Sequence, residues 1–208
     1  MNKLSIQIIA VIVFVAIAAG ALYYGGVFGN DEAGNQTDRT DSEPRTVQIL
    51  NYSDYSCPAC KAYVPMQERL KEEFGDLVDI QYRYFVLGSF PHSSLAAYAV
   101  EAANQQGKFK EMHDLVYEYQ ERWSPRQADA KEYFVDFAEQ IGLDMDQFLA
   151  DIESEDVQNR VEAHREEGIR RQVNATPTFF VDGHRLRQNP QSYEQFKSIV
   201  ELYMYRSN

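Results

Sequence analysis

The sequence predicts an α/β fold in which a βαβ half and a ββα half are separated by an all-helical insertion, preceded by one N-terminal transmembrane helix. Three observations carry the prediction. A β-prone run at 46–52 is followed by a break, a stretch of helix formers and a second alternating run. The next eighty or so residues, 93–173, hold only helical patterns. Strand character then returns at 178–181, turns at Asp182-Gly183 and closes on a last helix.

Taken in order, residues 46–52 form a first strand of mixed apolar and polar character. Residues 59–74 read as a helix with Tyr63, Met66, Leu70 and Phe74 roughly on one face, kinked at Pro65 and ended by Gly75. Residues 78–86 alternate as a second strand. In the insertion (about 90–174), helices are expected at 93–106, 108–120, 129–141, 145–152 and 154–173, with breaks at Gly107, Ser124-Pro125 and Gly142. Leu95, Tyr98, Ala99 and Ala102 form one apolar stripe; Met112, Leu115, Val116 and Tyr119 form another. Such stripes read as core, and His113 beside the second reads as a core or boundary histidine. Strands at 178–181 and 184–187 form a hairpin, and Ser192 caps a helix running to about 205, with Phe196, Ile199, Val200 and Tyr203 facing inward.

The two cysteines of the chain, Cys57 and Cys60, form one C-x-x-C motif just after the first strand. Three readings compete. A structural zinc site needs about four ligands; the motif supplies two, and His92, His113, His164 and His184 are scattered without ligand-pair spacing. No metal site is therefore expected. A purely structural disulfide across so short a loop stabilises little, because the gain grows with loop length. The redox-active dithiol suits both residues and context. Cys57 ends the loop and caps the helix, and Pro58 takes the first helical position, where its missing N–H costs nothing. The helix N-terminus favours a thiolate there.

At 208 residues the chain suits one globular domain with accessory segments, and 44% hydrophobic residues, with 14 Tyr and 12 Phe, allow a sizeable core. The net charge of −12 argues against nucleic acid or an anionic lipid surface as partner. Residues 4–30 carry no charge. The apolar stretch 4–24 follows Lys3 and precedes Asp31 and Glu32, which places the N-terminus in the cytoplasm and the rest outside. At about 21 residues it is long enough to span a bilayer, with Tyr23 and Tyr24 as interfacial anchors. A cleaved signal sequence ending near Ala19-Gly20-Ala21 is the alternative. The expected organisation is an anchor or signal at 1–25, a flexible linker at 26–45 and a folded domain at 46–207. Disulfides form and persist in that exported compartment.

The motifs Asp54-Tyr55-Ser56-Cys57-Pro58-Ala59-Cys60, Gln106-Gly107-Lys108-Phe109 with Met112-His113-Asp114, Ile141-Gly142-Leu143-Asp144 and Ala175-Thr176-Pro177-Thr178-Phe179-Phe180-Val181-Asp182-Gly183 occur together and in this order. On these the chain resembles the DsbA family of thiol-disulfide oxidoreductases, which have a thioredoxin-like fold with a helical insertion. The single anchor resembles the membrane-tethered, BdbD-like members. The resemblance implies that Cys57 is the nucleophile, Cys60 the resolving cysteine and Cys57–Cys60 a redox-active disulfide, with no other cofactor. It implies a cis-proline at Pro177 beside the dithiol, and substrate contacts at Thr176, Pro58 and Ala59. It further implies reduced or unfolded exported proteins as substrates, a monomer, and a quinone-linked membrane reoxidant of the DsbB or vitamin-K-epoxide-reductase type.

Two positions depart from the family. Ala59 stands where the strongest oxidants carry histidine, and Asn51 stands where relatives often carry a buried acid, with Asp54 expected as a loop residue with a surface or capping role. An oxidase is the first reading, a reductase or isomerase on the same scaffold the second, and a non-catalytic tethered binding or holdase module the third.

Overall fold

The computed structural model describes residues 43–206. The predicted anchor at 1–25 and most of the predicted linker lie outside the described residues. Within them, no helix is long and apolar enough to cross a membrane. The chain is already fixed at Arg45, whose N–H donates to the carbonyl of Met204 (3.2 Å).

Strand β1 (Val47–Ser53) leads through a short loop into helix α1 (Pro58–Phe74), then strand β2 (Val78–Tyr84). The insertion holds α2 (Ser93–Gln105), α3 (Phe109–Glu118), α4 (Gln120–Trp123), α5 (Ala130–Gln140), α6 (Met145–Asp151) and α7 (Glu155–Arg170). Strands β3 (Thr178–Val181) and β4 (His184–Arg185) and helix α8 (Tyr193–Met204) complete the chain. The sheet order is β2-β1-β3-β4. Strand β1 runs parallel to β2, with Ile49 opposite Ile80, and antiparallel to β3, with Asn51 opposite Phe179. The βαβ, helical block, ββα order expected from the sequence is thus the observed one.

Period-two alternation along β1 assigns its two faces. Val47 and Ile49 join Phe179, Val181, Leu70, Phe196 and Val200 in the core beneath α1 and α8. Leu50 and Tyr52 face the other way, onto Phe85, Val173 and Phe180. Burying each large apolar side chain is worth roughly 1.5–3 kcal/mol, so a one-residue slip of β1 would lose both faces at once. Helix α7 seals the second face at Gly168, where a Cβ would lie 2.6 Å from Phe85 Cδ2.

The insertion has its own core, including Ala99, Val100, Met112, Val116, Trp123, Phe134 and Phe148. Three of its helices start where a short polar side chain, that of Asp129, Asp144 or Ser154, satisfies a free N–H group. Asp144 Oδ1 accepts from Gln147 N (3.0 Å) and Ser154 Oγ from Val157 N (3.2 Å), each worth about 1 kcal/mol. Gly107 and Gly142, at φ 72° and 73°, supply the left-handed turns after α2 and α5.

Helix α1 is continuous through Pro65. The helical block departs from expectation after α3. The expected helix at 108–120 ends at Glu118, and α4 begins anew at Gln120, directed by Trp123, whose Nε1 donates to the Val116 carbonyl (2.7 Å). The expected stripe of Met112, Leu115, Val116 and Tyr119 faces the insertion core, with Tyr119 half-buried against Phe137, and the buried Tyr117 joins it.

Candidate functional site

The loop between β1 and α1 sets the site. Cys57 is the N-cap of α1 in extended conformation, and Pro58 follows at the first helical position. The Cys57 N–H donates to the Asp54 carbonyl (3.0 Å), and the Cys57 carbonyl accepts from Cys60 N (3.1 Å) and Lys61 N (3.3 Å). Pro58 and Ala59 are exposed. Cys57 retains 7% exposure and Cys60 only 1%, so the two sulfurs are not equally reachable. Both are free thiols, so the Cys57–Cys60 disulfide implied by the resemblance is not formed in the state described.

The start of β3 brings the second half of the site across. The Thr176–Pro177 peptide bond is cis. Cys57 Sγ–H donates to the Thr176 carbonyl at 3.6 Å, joining residues 119 apart in sequence. Pro177 is buried and Thr176 half-buried, and Asn189 Nδ2 holds the Pro177 carbonyl at 2.8 Å.

The two thiols are pushed apart electrostatically. Cys57 is lowered from 9.0 to about 6, chiefly by the hydrogen bond from Cys60 to the thiolate, with the Thr176 side chain and the backbone amides of Cys60 and Ala59 adding to it against burial. These amides belong to the first turn of the helix, the Cys60 N–H being shared with the Cys57 carbonyl. Cys60 is pushed far upward, first by burial and then by Cys57 itself. At neutral pH the pair therefore holds one proton and one negative charge, with the charge on the more exposed sulfur.

Around the dithiol lies a polar shell that no local pattern in the sequence announces. Asp54 is buried at 2% exposure, which rules out the surface role and leaves the capping one. Its Oδ1 accepts from Ser56 N (2.8 Å) and Ser93 Oγ (2.6 Å), and its Oδ2 from Leu87 N (3.0 Å). A buried carboxylate is tolerated when hydrogen bonds replace its water, and here they tie the β1–α1 loop to the beginning of α2. Asn51 is also buried, and its Nδ2 donates to Gln67 Oε1 (3.0 Å) on α1. A neutral amide pair thus occupies the place where the family resemblance suggests an acid.

From the insertion, Gln120 Nε2 donates to the carbonyls of Tyr55 (2.6 Å) and Cys57 (3.1 Å). Tyr55 Oη and His113 Nδ1 are hydrogen-bonded at 2.8 Å. His113 sits among Tyr55, Tyr82, Phe109 and Tyr117, and burial lowers it to about 3, so it is neutral. Its expected place in the core is the observed one. No spacing rule marks Gln67, Ser93 or Gln120: each matters through a partner distant in sequence. Among the described residues, no group of three or more His, Cys, Asp or Glu side chains is placed to hold a metal ion.

A parallel β1–β2 pair, an antiparallel β3–β4 hairpin, a dithiol capping α1 and a cis-proline facing it define a thioredoxin-fold dithiol protein. The family model described as Thioredoxin matches residues 42–202, and the chain belongs to that family. Solved structures carry the same fold. BdbD from Bacillus subtilis in its oxidised form superposes with a TM-score of 0.67 at 20% identity, covering 79% of this chain and 89% of that one. A thioredoxin-like oxidoreductase from Silicibacter pomeroyi gives 0.64 at 23% identity, over 79% and 90%. DsbA from Xylella fastidiosa gives 0.61 at 20%, also over 79% and 90%. Among curated relatives, the Na(+)/H(+) antiporter NhaA of Herminiimonas arsenicoxydans is 35% identical over 145 residues, which is 70% of this chain and 22% of that protein. NhaA 3 of Salinispora tropica is 30% identical over 154 residues, 74% of this chain and 22% of that protein. The chain thus spans about a fifth of the length of these curated relatives.

Proposed function

We propose that the protein is an extracytoplasmic thiol-disulfide oxidoreductase that introduces disulfides into exported proteins through Cys57 and Cys60. The observation that carries this reading is the asymmetry of the pair: a low-pKa sulfur at a helix N-terminus beside the Thr176 carbonyl, backed by a buried, high-pKa partner. Stabilising the Cys57 thiolate favours the reduced state of the enzyme, which makes the oxidised state a stronger oxidant.

In the oxidised enzyme a substrate thiolate attacks Cys57 Sγ. A substrate–Cys57 bond forms, the Cys57–Cys60 bond breaks, and its electron pair passes to Cys60 Sγ, which takes up a proton. A second substrate thiolate then attacks the substrate sulfur of the mixed disulfide. The substrate disulfide forms and Cys57 leaves as a thiolate, a leaving group favoured by its low pKa. Two electrons have moved from substrate to enzyme. The exposed Pro58 and Ala59 and the Thr176 backbone frame the approach, with Thr176 pairing to an extended substrate segment. The protein would act as a monomer tethered to the membrane by residues 1–25, reoxidised by a quinone-linked membrane protein of the DsbB or vitamin-K-epoxide-reductase type.

A reductase or isomerase is the second reading, favoured by one observation: the neutral Asn51–Gln67 pair leaves no titratable carboxylate at that position to move the Cys60 proton. The reduction potential separates them. An oxidase is expected well above thioredoxin's, and a value near about −270 mV would overturn the oxidase reading. A Cys60→Ala variant is expected to accumulate mixed disulfides with exported proteins; recovery of no such adducts would count against exchange altogether.

A further inference from the structure

The insertion grips the backbone of the loop that bears the reacting sulfur through the side-chain amide of Gln120. Gln120, at the start of the short α4, is 2% exposed, and its amide nitrogen donates to two loop carbonyls at once, Tyr55 O at 2.6 Å and Cys57 O at 3.1 Å. These carbonyls flank Ser56 and belong to the turn that presents Cys57. Each carbonyl oxygen carries partial negative charge, and in a low-dielectric interior such charge opposes a thiolate nearby. The Cys57 carbonyl also accepts from Cys60 N and Lys61 N within α1, whereas the Tyr55 carbonyl is held from the insertion by Gln120.

We propose that Gln120 is a positioning residue that sets the acidity of Cys57. By donating into both carbonyls it draws their negative ends away from the sulfur. It also holds the loop so that the amides of Ala59 and Cys60 stay aimed at the thiolate. The tuning group therefore lies in the helical insertion, 60 or more residues from the motif, and the insertion acts on the chemistry as well as covering it. Two other bonds from the insertion fix the same loop, Ser93 Oγ to Asp54 and His113 to Tyr55. They grip side chains; Gln120 grips the backbone that bears the nucleophile.

Such tuning rests on the exchange reading for its consequence, but its primary readout, the acidity of Cys57, does not. In the full chain, Gln120→Glu replaces the donor by an isosteric acceptor that carries charge, and Gln120→Met removes the donor without burying charge. The Cys57 pKa is read from thiolate absorbance in the ultraviolet, and the equilibrium constant against glutathione from the fraction reduced. Gln120→Glu is expected to raise the Cys57 pKa by about one unit. From a starting value of about 6, that weakens the reduced state at pH 7 about fivefold, or about 22 mV at 29.6 mV per tenfold change. Gln120→Met is expected to shift both in the same direction by a smaller amount, and it decides the matter if Gln120→Glu does not fold. A lowered melting temperature with Cys57 pKa and glutathione equilibrium both unchanged would assign Gln120 a structural role only and overturn the proposal. If the wild-type protein exchanges no disulfides at all, the proposed function fails while the Cys57 titration still tests Gln120.

Discussion

Raising the pH from 5 to 8 should stabilise the reduced protein, and the amount follows from Cys57. Its pKa is about 6 in the folded chain against 9.0 for an unperturbed thiol. At pH 7 a group of pKa about 6 is roughly 90% thiolate, and one of pKa 9.0 about 1%. Between those two values the unfolded chain binds more protons, so stability rises with pH; the gain is complete only above 9 and is lost as pH falls through 6. Ideal linkage over pH 5–8 gives about 2.6 kcal/mol. Solvent reaches part of this sulfur, and screening roughly halves the figure to about 1 kcal/mol. Urea unfolding of the reduced protein at pH 5, 6, 7 and 8 measures it. Burial also lowers His113 to about 3 and His164 to about 4, and these add their own rise below pH 6.5. The Cys57→Ser variant keeps both histidines, so the thiolate contribution is the difference between the two curves. The same difference should vanish in the oxidised protein, which has no thiolate. Identical slopes for wild type and Cys57→Ser, or a Cys57 titration above pH 8 by alkylation rate, would refute the reasoning.

Two further substitutions probe the frame that holds the site. Gly168→Ala places a Cβ 2.6 and 2.7 Å from two ring carbons of Phe85 and 3.1 Å from Tyr52; since Phe85 is itself buried, the expected loss is about 1–3 kcal/mol, and an unchanged urea midpoint would show that α7 moves aside freely. Asp54→Asn turns one of the carboxylate oxygens into a donor facing donors; a loss of about 2 kcal/mol is expected, with wild-type stability in chemical denaturation as the result that would sink the role given to Asp54.

The local part of this protein is written in its local sequence. Hydrophobic period, glycine breaks and short polar caps located the β- and α-elements to within a few residues, because those signals act over one or two turns of chain. Cys57 and Pro58 declared themselves as a helix start for the same reason. The details that came out differently involve partners far along the chain. Helix α1 continues through Pro65 because packing of Leu70 and its neighbours against the sheet outweighs one lost hydrogen bond. Asp54 has the look of a loop residue until Ser93 and the Leu87 amide close over it. Gln120 has the look of the polar end of a helix; its importance depends on two carbonyls 65 and 63 residues earlier.

The order of elements, the dithiol and its place at a helix N-terminus are properties of the linear chain, since each depends on residues within a turn or two of one another. The difference in acidity between Cys57 and Cys60 divides between the two levels. The Cys60 hydrogen bond and the Ala59 and Cys60 amides that lower Cys57 lie within the motif, whereas the burial that raises Cys60 and the approach of Thr176, 119 residues from Cys57, come from the fold. Burial and hydrogen bonding over such separations exist only once the chain has closed on itself.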